Sequence, residues 1–135
     1  MGILWLSSFN LSNRMVRSIN RSGTKVMSTA KASYFKNNLY HHLENQYGNP
    51  EYNVVFLSQD MGMSRSHLFR KCKQVFGQSP VALIRHYRLE KSREFLKSGI
   101  YNVSEAAYLS GFNSLSHFSK CFKKKYRELP SKWID

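Results

Sequence analysis

Two stretches of the chain repeat each other: residues 62–80 read GMSRSHLFRKCKQVFGQSP, and residues 111–130 read GFNSLSHFSKCFKKKYRELP. The positions that are identical at an offset of 50 are Ser64/Ser114, Ser66/Ser116, His67/His117, Lys73/Lys123 and Pro80/Pro130. The turn glycines Gly62 and Gly111 match at an offset of 49, so the second turn contains one extra residue. Each stretch predicts a tight turn followed by a basic helix. That order is typical of a helix-turn-helix unit, whose second helix can enter a DNA major groove.

Helical periodicity extends on both sides of the repeat. Apolar residues at a spacing of four, from Phe35 to Tyr47, predict a helix that begins near residue 34. Capping and breaking residues predict further helices over about 54–60, 65–76, 80–97, 103–110 and 115–126. No period-2 run is long enough for a sheet, so the predicted fold class is all-α. The inward-facing residues predicted for these helices are Phe35, Leu39, Leu43, Tyr47, Val54, Leu57, Met61, Leu68, Cys72, Val75, Phe76, Leu83, Ile84, Tyr87, Leu89, Leu96, Phe118, Cys121 and Phe122.

The chain is short and strongly basic. It has 135 residues, with 21 Lys and Arg against 8 Asp and Glu, and a net charge of +13. This length excludes the large α/β enzyme folds, and no apolar run approaches the roughly 20 residues that span a bilayer. Five of the basic residues precede residue 34, so the remainder carries 16 basic and 8 acidic residues, or +8. The charge indicates a polyanionic partner, most often nucleic acid, and it belongs largely to the helical part.

Residues 1–33 differ in composition from the rest. They contain no acid, are rich in Ser, Thr and Asn, and carry a short apolar patch from Ile3 to Leu6 with Phe9. The basic residues follow this patch, which is the wrong order for a secretion signal. We interpret residues 1–33 as a flexible basic arm or the remnant of a longer protein, and residues 34–135 as the folded domain.

The two basic helices each predict a polar face suited to a groove of DNA. Arg can bind guanine bidentately, Ser can bind phosphate or a base edge, and an apolar side chain can contact a thymine methyl group. Neither face contains an acid, as a groove lined with phosphate requires. The outward residues are Arg65, Ser66, Phe69, Arg70 and Lys73 in the first helix, and Leu115, Ser116, Ser119, Lys120, Lys123 and Lys124 in the second.

The helix predicted over 80–97 separates these two units. At 1.5 Å per residue its length is about 27 Å, close to the roughly 34 Å between successive major-groove faces on one side of B-DNA. A modest DNA bend, costing about 1–6 kcal/mol, would compensate for the difference. One chain could therefore read two half-sites without dimerising.

Several motifs together resemble the AraC/XylS family of transcription regulators. Gly62 to Leu68 with Gly77 to Pro80 resemble the family's first unit, and Arg88-Leu89-Glu90-Lys91 resembles its linker signature. Three further stretches resemble the family's second unit: Val103 to Ala107, Gly111-Phe112-Asn113 and His117 to Lys124. The resemblance covers about residues 35–134. It implies a seven-helix bundle of two helix-turn-helix subdomains joined by a long, rigid central helix.

The family resemblance also implies a function and partners. It implies sequence-specific binding of promoter or operator DNA, with contacts from Ser66, Phe69, Arg70, Leu115, Ser116, Ser119 and Lys120. The segment Ser64-Arg65-Ser66 and the lead-in from Phe35 to Pro50 resemble output domains of response regulators and hybrid sensor kinases. Candidate partners are therefore double-stranded DNA, RNA polymerase and, if the chain is a fragment, a sensor or receiver domain. The resemblance implies a cytoplasmic regulator of bacterial transcription. An activator is one expectation, and the sequence leaves the choice between activation and repression open.

Three residues depart from the family pattern. Arg127 stands where the family usually has Gly, so the second basic helix is expected to end differently from the first. Ser58 and Ser110 replace residues that are usually apolar, which lowers the expected stability.

Other function classes fit less well. The five histidines form no HExxH motif, the acids do not cluster, and no glycine-rich phosphate loop occurs, so we predict no enzyme activity, metal or cofactor. Cys72 and Cys121 form no CxxC motif and are interpreted as small core residues in a reducing cytosol. A non-specific nucleic-acid-binding or architectural protein remains the alternative function. A protein-interaction or membrane-surface module, using the arm from Ile3 to Phe9, is a third class, although we expect no membrane partner.

Overall fold

The computed structural model describes residues 28–134 as an all-helical chain, without strands in that range. The predicted apolar patch and most of the predicted arm lie outside the described residues. Within them, no helix is both long and apolar enough to cross a membrane. The elements are α1 (Thr29–Gln46), α2 (Val54–Asp60), α3 (Arg65–Phe76), α4 (Pro80–Lys97), α5 (Val103–Leu109), α6 (Leu115–Tyr126) and a 3-10 helix (Pro130–Trp133).

The helix count differs from the seven implied by the resemblance. Residues 28–134 contain six α-helices, and the last helical segment is a single 3-10 turn. Pro130 occupies the first position of this turn, and the Lys132 N–H donates to the Leu129 carbonyl three residues earlier. The segment is four residues long and ends at Ile134, whose extended backbone (φ −78°, ψ 125°) does not continue the helix.

The first helix begins at Thr29, five residues before the predicted start. Ser28 supports this earlier start, since its carbonyl accepts from the Ala32 N–H at 2.9 Å and its hydroxyl from the Lys31 N–H at 3.3 Å. Ala32 is fully buried. The apolar stripe used for the prediction begins only at Phe35, so it did not reveal this first turn.

The helices begin at the predicted N-cap residues. The Asn53 side chain accepts from the backbone N–H groups of Val55 and Phe56 at the start of α2. Asn102 and Glu105 form a reciprocal capping box at the start of α5, which satisfies two backbone donors. These caps place the boundaries of α2 to α6 within one residue of the prediction.

The described chain forms two compact units, and their boundaries cut through two helices. The first comprises the described residues up to Glu44 together with Asn53–Leu83, and the second comprises Asn45–Tyr52 together with the described residues from Ile84. The long central helix is therefore not a separate connector, because its residues are divided between the units. The loop that follows α1 also belongs to the second unit and not to the first.

The core of the first unit is built by the apolar faces of its helices. Leu39, Leu57 and Leu68 are fully buried. The Phe76 ring lies 6.2 Å from Phe35 and 5.7 Å from Tyr40, measured between ring centroids. Offset and edge-on ring pairs at this spacing stabilise a core beyond the area that they bury. These contacts fix the inner face of α3 and leave its opposite face in solvent.

The core of the second unit is a chain of aromatic rings. Phe118 packs 5.1 Å from Phe112 and 5.6 Å from Phe122, and Phe122 packs 4.6 Å from Tyr126. Trp133 of the 3-10 helix closes the chain at 5.9 Å from Phe122. The Tyr126 hydroxyl donates to the Glu90 carboxylate, which ties the end of α6 to α4.

Two buried serines that depart from the family pattern are satisfied locally. The Ser58 hydroxyl donates to the Val55 carbonyl at 2.8 Å, and the Ser110 hydroxyl donates to the Ala106 carbonyl at 2.7 Å. Each hydroxyl therefore has a hydrogen-bond acceptor in the preceding helical turn, and neither is buried without a partner.

Three residues predicted to face inward are only partly buried. Tyr47 lies just after α1 ends, and Val54 is the first residue of α2, so neither is enclosed by a neighbouring turn. Cys121 is also partly exposed, and its sulfur lies 3.6 Å from His117 Nε2. Cys72, in contrast, is fully buried, and burial raises the pKa of its thiol to about 12.

Candidate nucleic-acid interface

The local structure around α3 follows from the residues that flank it. Gly62 has φ 67°, a left-handed conformation that favours glycine, and it turns the chain after α2. The Ser64 hydroxyl accepts from the His67 N–H at 3.1 Å and caps α3. Gly77 ends the helix with φ 71°, and its N–H donates to the Lys73 carbonyl at 3.0 Å.

The turn before α6 has the same backbone hydrogen bonds as the turn before α3. In the first unit, Met63 N–H donates to the Ser58 carbonyl at 3.0 Å. In the second, Phe112 N–H donates to the Ala107 carbonyl at 3.0 Å, which is the equivalent pair at an offset of 49. The extra residue of the second turn is Asn113, located after this bond and before the cap.

The caps of α6 also repeat those of α3. The Ser114 hydroxyl accepts from the His117 N–H at 3.2 Å. At the other end Arg127 has φ 65° and ψ 11°, nearly identical to φ 71° and ψ 12° of Gly77. The expectation that the second basic helix ends differently is therefore wrong, because Arg127 adopts the left-handed conformation despite its side chain.

The outward face of α3 contains every residue predicted for it. Arg65, Ser66, Arg70 and Lys73 are exposed, and the Phe69 side chain is 48% exposed. One shallow surface depression is lined by Arg65, Ser66, Phe69 and Arg70, so the structure brings these four residues together. The opposite face is buried by Leu68, Cys72, Val75 and Phe76.

The outward face of α6 is arranged in the same way. Ser116, Lys120 and Lys123 are exposed, Leu115 is 36% exposed and Ser119 is partly exposed. Lys124 is exposed beside them. Phe118 and Phe122 are fully buried on the opposite face, so packing fixes which side of α6 meets solvent.

Each of these helices carries four basic residues and no acid. One cation in each is used in packing: Lys71 Nζ lies 5.5 Å from the centroid of the Phe35 ring, and Lys125 Nζ lies 3.7 Å from Glu90 Oε1. The three others on each helix are exposed: Arg65, Arg70 and Lys73 on α3, and Lys120, Lys123 and Lys124 on α6. Two acid-free faces of this kind attract phosphate and retain polar groups for base edges.

The repeated histidines are both exposed on their helices. His117 contacts Cys121 and lies 6.0 Å from the Phe112 ring, at the edge of the second core. Across residues 28–134, no group of three or more His, Cys, Asp or Glu is arranged to hold a metal ion.

Sequence reasoning missed the contacts of Arg88. Its Nε donates to the Tyr47 carbonyl at 3.1 Å, and its Nη2 donates to the carbonyls of Asn49 at 2.8 Å and Tyr52 at 3.0 Å. The signal available in the sequence is one Arg between Tyr87 and Leu89, both of which are buried. The acceptors are backbone atoms, so no side chain in the sequence identifies them.

Comparisons with known proteins agree with this geometry. A family model described as a helix-turn-helix domain matches residues 57–135, more than half of the chain. Histidine kinase P4 of Formosa agariphila is 36% identical over 91 residues, which are 67% of this chain and 7% of that protein. The HTH-type transcriptional regulator MtrA of Neisseria gonorrhoeae is 37% identical over 83 residues, 62% of this chain and 28% of that protein.

A solved structure supports the same assignment. A probable AraC family transcriptional regulator from Rhodopseudomonas palustris is 25% identical, with a TM-score of 0.64 over 73% of this chain and 92% of that one. This chain thus spans less than a third of the length of either curated relative, but nearly all of that solved chain. It belongs to the AraC-type helix-turn-helix family of DNA-binding transcription regulators.

Proposed function

We propose that α3 and α6 are two recognition helices with which this chain binds specific sites in double-stranded DNA and regulates transcription. The observation that carries the proposal is the repeated turn-and-cap geometry, which presents an acid-free basic face on both helices. A solvated basic helix needs no such repetition, whereas two reading helices need the same docking geometry twice.

The first recognition face combines base reading with backbone binding. Arg70 has the fork geometry that binds guanine O6 and N7, and Phe69 offers an apolar edge to a thymine methyl group. Ser66 can bind phosphate or a base edge. Arg65 and Lys73, at the ends of the same face, are suited to flanking phosphates.

The second recognition face offers hydrogen-bond donors with less fixed directions than those of the first face. Leu115 offers apolar contact to a thymine methyl group, and Ser116 and Ser119 offer hydroxyl groups to bases or phosphate. Lys120 can donate to guanine, and Lys123 is suited to phosphate. Since a Lys has no planar fork, we expect weaker base discrimination here than at Arg70.

We further propose that the two faces occupy adjacent major grooves. The supporting fact is the length of α4, 18 residues, which corresponds to about 27 Å. A site read in this way would contain two sequence blocks about one helical turn apart, roughly 10 base pairs.

Selection from random DNA duplexes, followed by sequencing, tests this function. We expect an enriched motif with two blocks spaced by about one turn. A selection without any enriched motif would reject specific reading and would favour the non-specific or architectural alternative. A single enriched block would reject the two-groove arrangement while retaining sequence-specific binding.

We also propose that this domain acts as the output of a longer regulator. The match to a histidine kinase, confined to 7% of that protein, supports a link to signal-receiving domains. In that arrangement a sensor or receiver domain would supply the signal, and RNA polymerase would be the partner at the promoter. An upstream reading frame that encodes no such domain would contradict this part of the proposal.

The DNA-binding domain proposed here is residues 34–135, extended by the first turn of α1 from Thr29. The proposed role of the preceding residues as a basic arm concerns mainly residues that the structure does not describe. A regulator that binds the chromosome of a bacterium acts in the cytoplasm, which is the proposed location.

A further inference from the structure

The guanidinium of Arg88 organises a loop that contains no regular structure. Residues 47–52 lie between α1 and the N-cap residue of α2, and three of their carbonyls accept hydrogen bonds from Arg88. Lys91 is buried one turn further along α4, with its Nζ 5.2 Å from the centroid of the Tyr47 ring. The loop is therefore fixed to α4 from two positions.

The same loop packs against the turn that leads into α6. A Cβ atom on Gly111 would lie 2.0 Å from the Tyr47 carbonyl oxygen and 2.7 Å from Arg88 Nε. A Cβ atom on Gly48 would lie 3.1 Å from the Leu109 carbonyl oxygen. Backbone atoms of the loop and the turn are thus in contact at both glycines, with no side chain between them.

From this arrangement we propose that Arg88 is a positioning residue for the second recognition helix. It holds the 47–52 loop against the turn at Gly111, and three residues after this turn Ser114 caps α6. The first residues of α6, Leu115 and Ser116, belong to the proposed reading face. A shift of the turn would therefore move that face directly, although Arg88 itself binds only protein carbonyls.

The chemistry of Arg88 suits this role. A guanidinium has fixed donor directions, so it can satisfy three carbonyls that no helix or sheet would pair. Burial of the guanidinium lowers the pKa of Arg88, and the three carbonyls replace part of the water that burial removes. A Lys at this position would keep the charge. Its ammonium lacks the planar array of donors with which Arg88 binds all three carbonyls.

Hydrogen exchange of the full chain tests the positioning role without DNA. In Arg88→Met we expect amide exchange at Gly111 and Phe112 to accelerate by about 3- to 30-fold. The equivalent amides, Gly62 and Met63, serve as the internal control and should keep their wild-type rates. Equal acceleration at both turns would mean general destabilisation and would overturn the proposal, as would unchanged rates at both.

A DNA experiment tests the consequence for reading, and this arm rests on the proposed function. In Arg88→Met we expect about 3- to 30-fold less discrimination at the base pairs read by α6, with unchanged discrimination at those read by α3. The slope of binding against salt concentration should stay as in the wild type, because no phosphate contact is lost. A slope reduced by about one would identify Arg88 as a phosphate contact and contradict its positioning role.

Two further variants keep the proposal testable if Arg88→Met does not fold. Arg88→Lys should show the same selective changes in smaller measure. Gly48→Ala retains Arg88 but presses the loop against Leu109, and it should affect the same amides and the same half of the site. If neither variant separates the second turn from the first, the proposal is wrong. If the wild type enriches no DNA motif, the proposed function fails, while the exchange experiment still decides the positioning role.

Discussion

Arg127 adopts the backbone conformation of Gly77, its counterpart 50 residues earlier, at the end of the second basic helix. The two residues have φ 65° and 71° and ψ 11° and 12°, and each N–H donates to the carbonyl four residues before it. Within residues 28–134, Arg127 is the non-glycine residue with positive φ. The fold thus imposes one helix ending on two different residue types.

Replacing Arg127 by Gly should stabilise the chain. A left-handed conformation costs an L-residue about 1–2 kcal/mol, and the greater freedom of Gly in the unfolded chain offsets part of the gain. We expect the free energy of unfolding to rise by about 0.5–1 kcal/mol, measured by urea denaturation. The reciprocal change, Gly77→Ala, should lower it by about 1–2 kcal/mol, so a loss of stability in Arg127→Gly would contradict the strain argument.

Arg70→Ala should weaken DNA binding and relax specificity at one position of the site. A bidentate contact to guanine contributes about 1–3 kcal/mol of discrimination, so affinity should fall by about 5- to 150-fold for the preferred site. Competition binding with single-base-pair variants of the selected motif measures this effect. Arg70→Lys is the matched control, because it retains the charge but not the fork and should lose discrimination with a nearly unchanged salt dependence.

Lys123→Ala should weaken binding to all sequences alike. Lys123 is exposed on α6 at the position equivalent to Lys73 on α3, and both are proposed to bind phosphate. Removing one phosphate contact should reduce the slope of log affinity against log salt by about one. Lys132→Ala removes the same charge from an exposed position of the 3-10 helix and should change the slope less. A base-specific loss in Lys123→Ala would instead assign Lys123 to base reading.

The helix boundaries could be predicted because the sequence carries their caps. Asn53, Ser64 and Asn102 each accept the backbone N–H that their position predicts, and the basic faces of α3 and α6 follow from helical periodicity. The start of α1 was missed because Ser28 caps a first turn that precedes the apolar stripe. The predicted helix boundaries and the missed start of α1 have the same cause, because a capping residue or an apolar stripe predicts structure only in its own part of the chain.

The contacts of Arg88 and the conformation of Arg127 could not be predicted in this way. Arg88 binds carbonyls 36 to 41 residues away, and backbone acceptors leave no mark in the sequence. Arg127 takes a left-handed conformation that its residue type disfavours, so the residue type alone predicts a different helix ending. The bases that Arg70 or Lys120 read depend on the docking of each helix in its groove, so those roles stay predictions.

Acidification should destabilise the second unit through His86 of α4. Burial, followed by the charges of Lys125 and Arg85, lowers the pKa of His86 from 6.5 to about 4, and the carboxylate of Glu90 opposes this shift. The unfolded chain therefore binds a proton near pH 6.5 that the folded chain accepts only near pH 4. Stability from neutral His86 is present above pH 6.5 and is lost as the pH falls from 6.5 toward 4.

For this half-buried group we expect a loss of about 1 kcal/mol between pH 7 and pH 5, after allowance for solvent screening. Urea denaturation of the wild type and of His86→Gln at both pH values measures it, since the Gln variant should lose less stability by that amount. An NMR titration of the imidazole gives an independent value. If His86 titrates near pH 6.5 in the folded chain, or if both proteins show the same pH dependence, the imidazole is hydrated and the argument from burial fails.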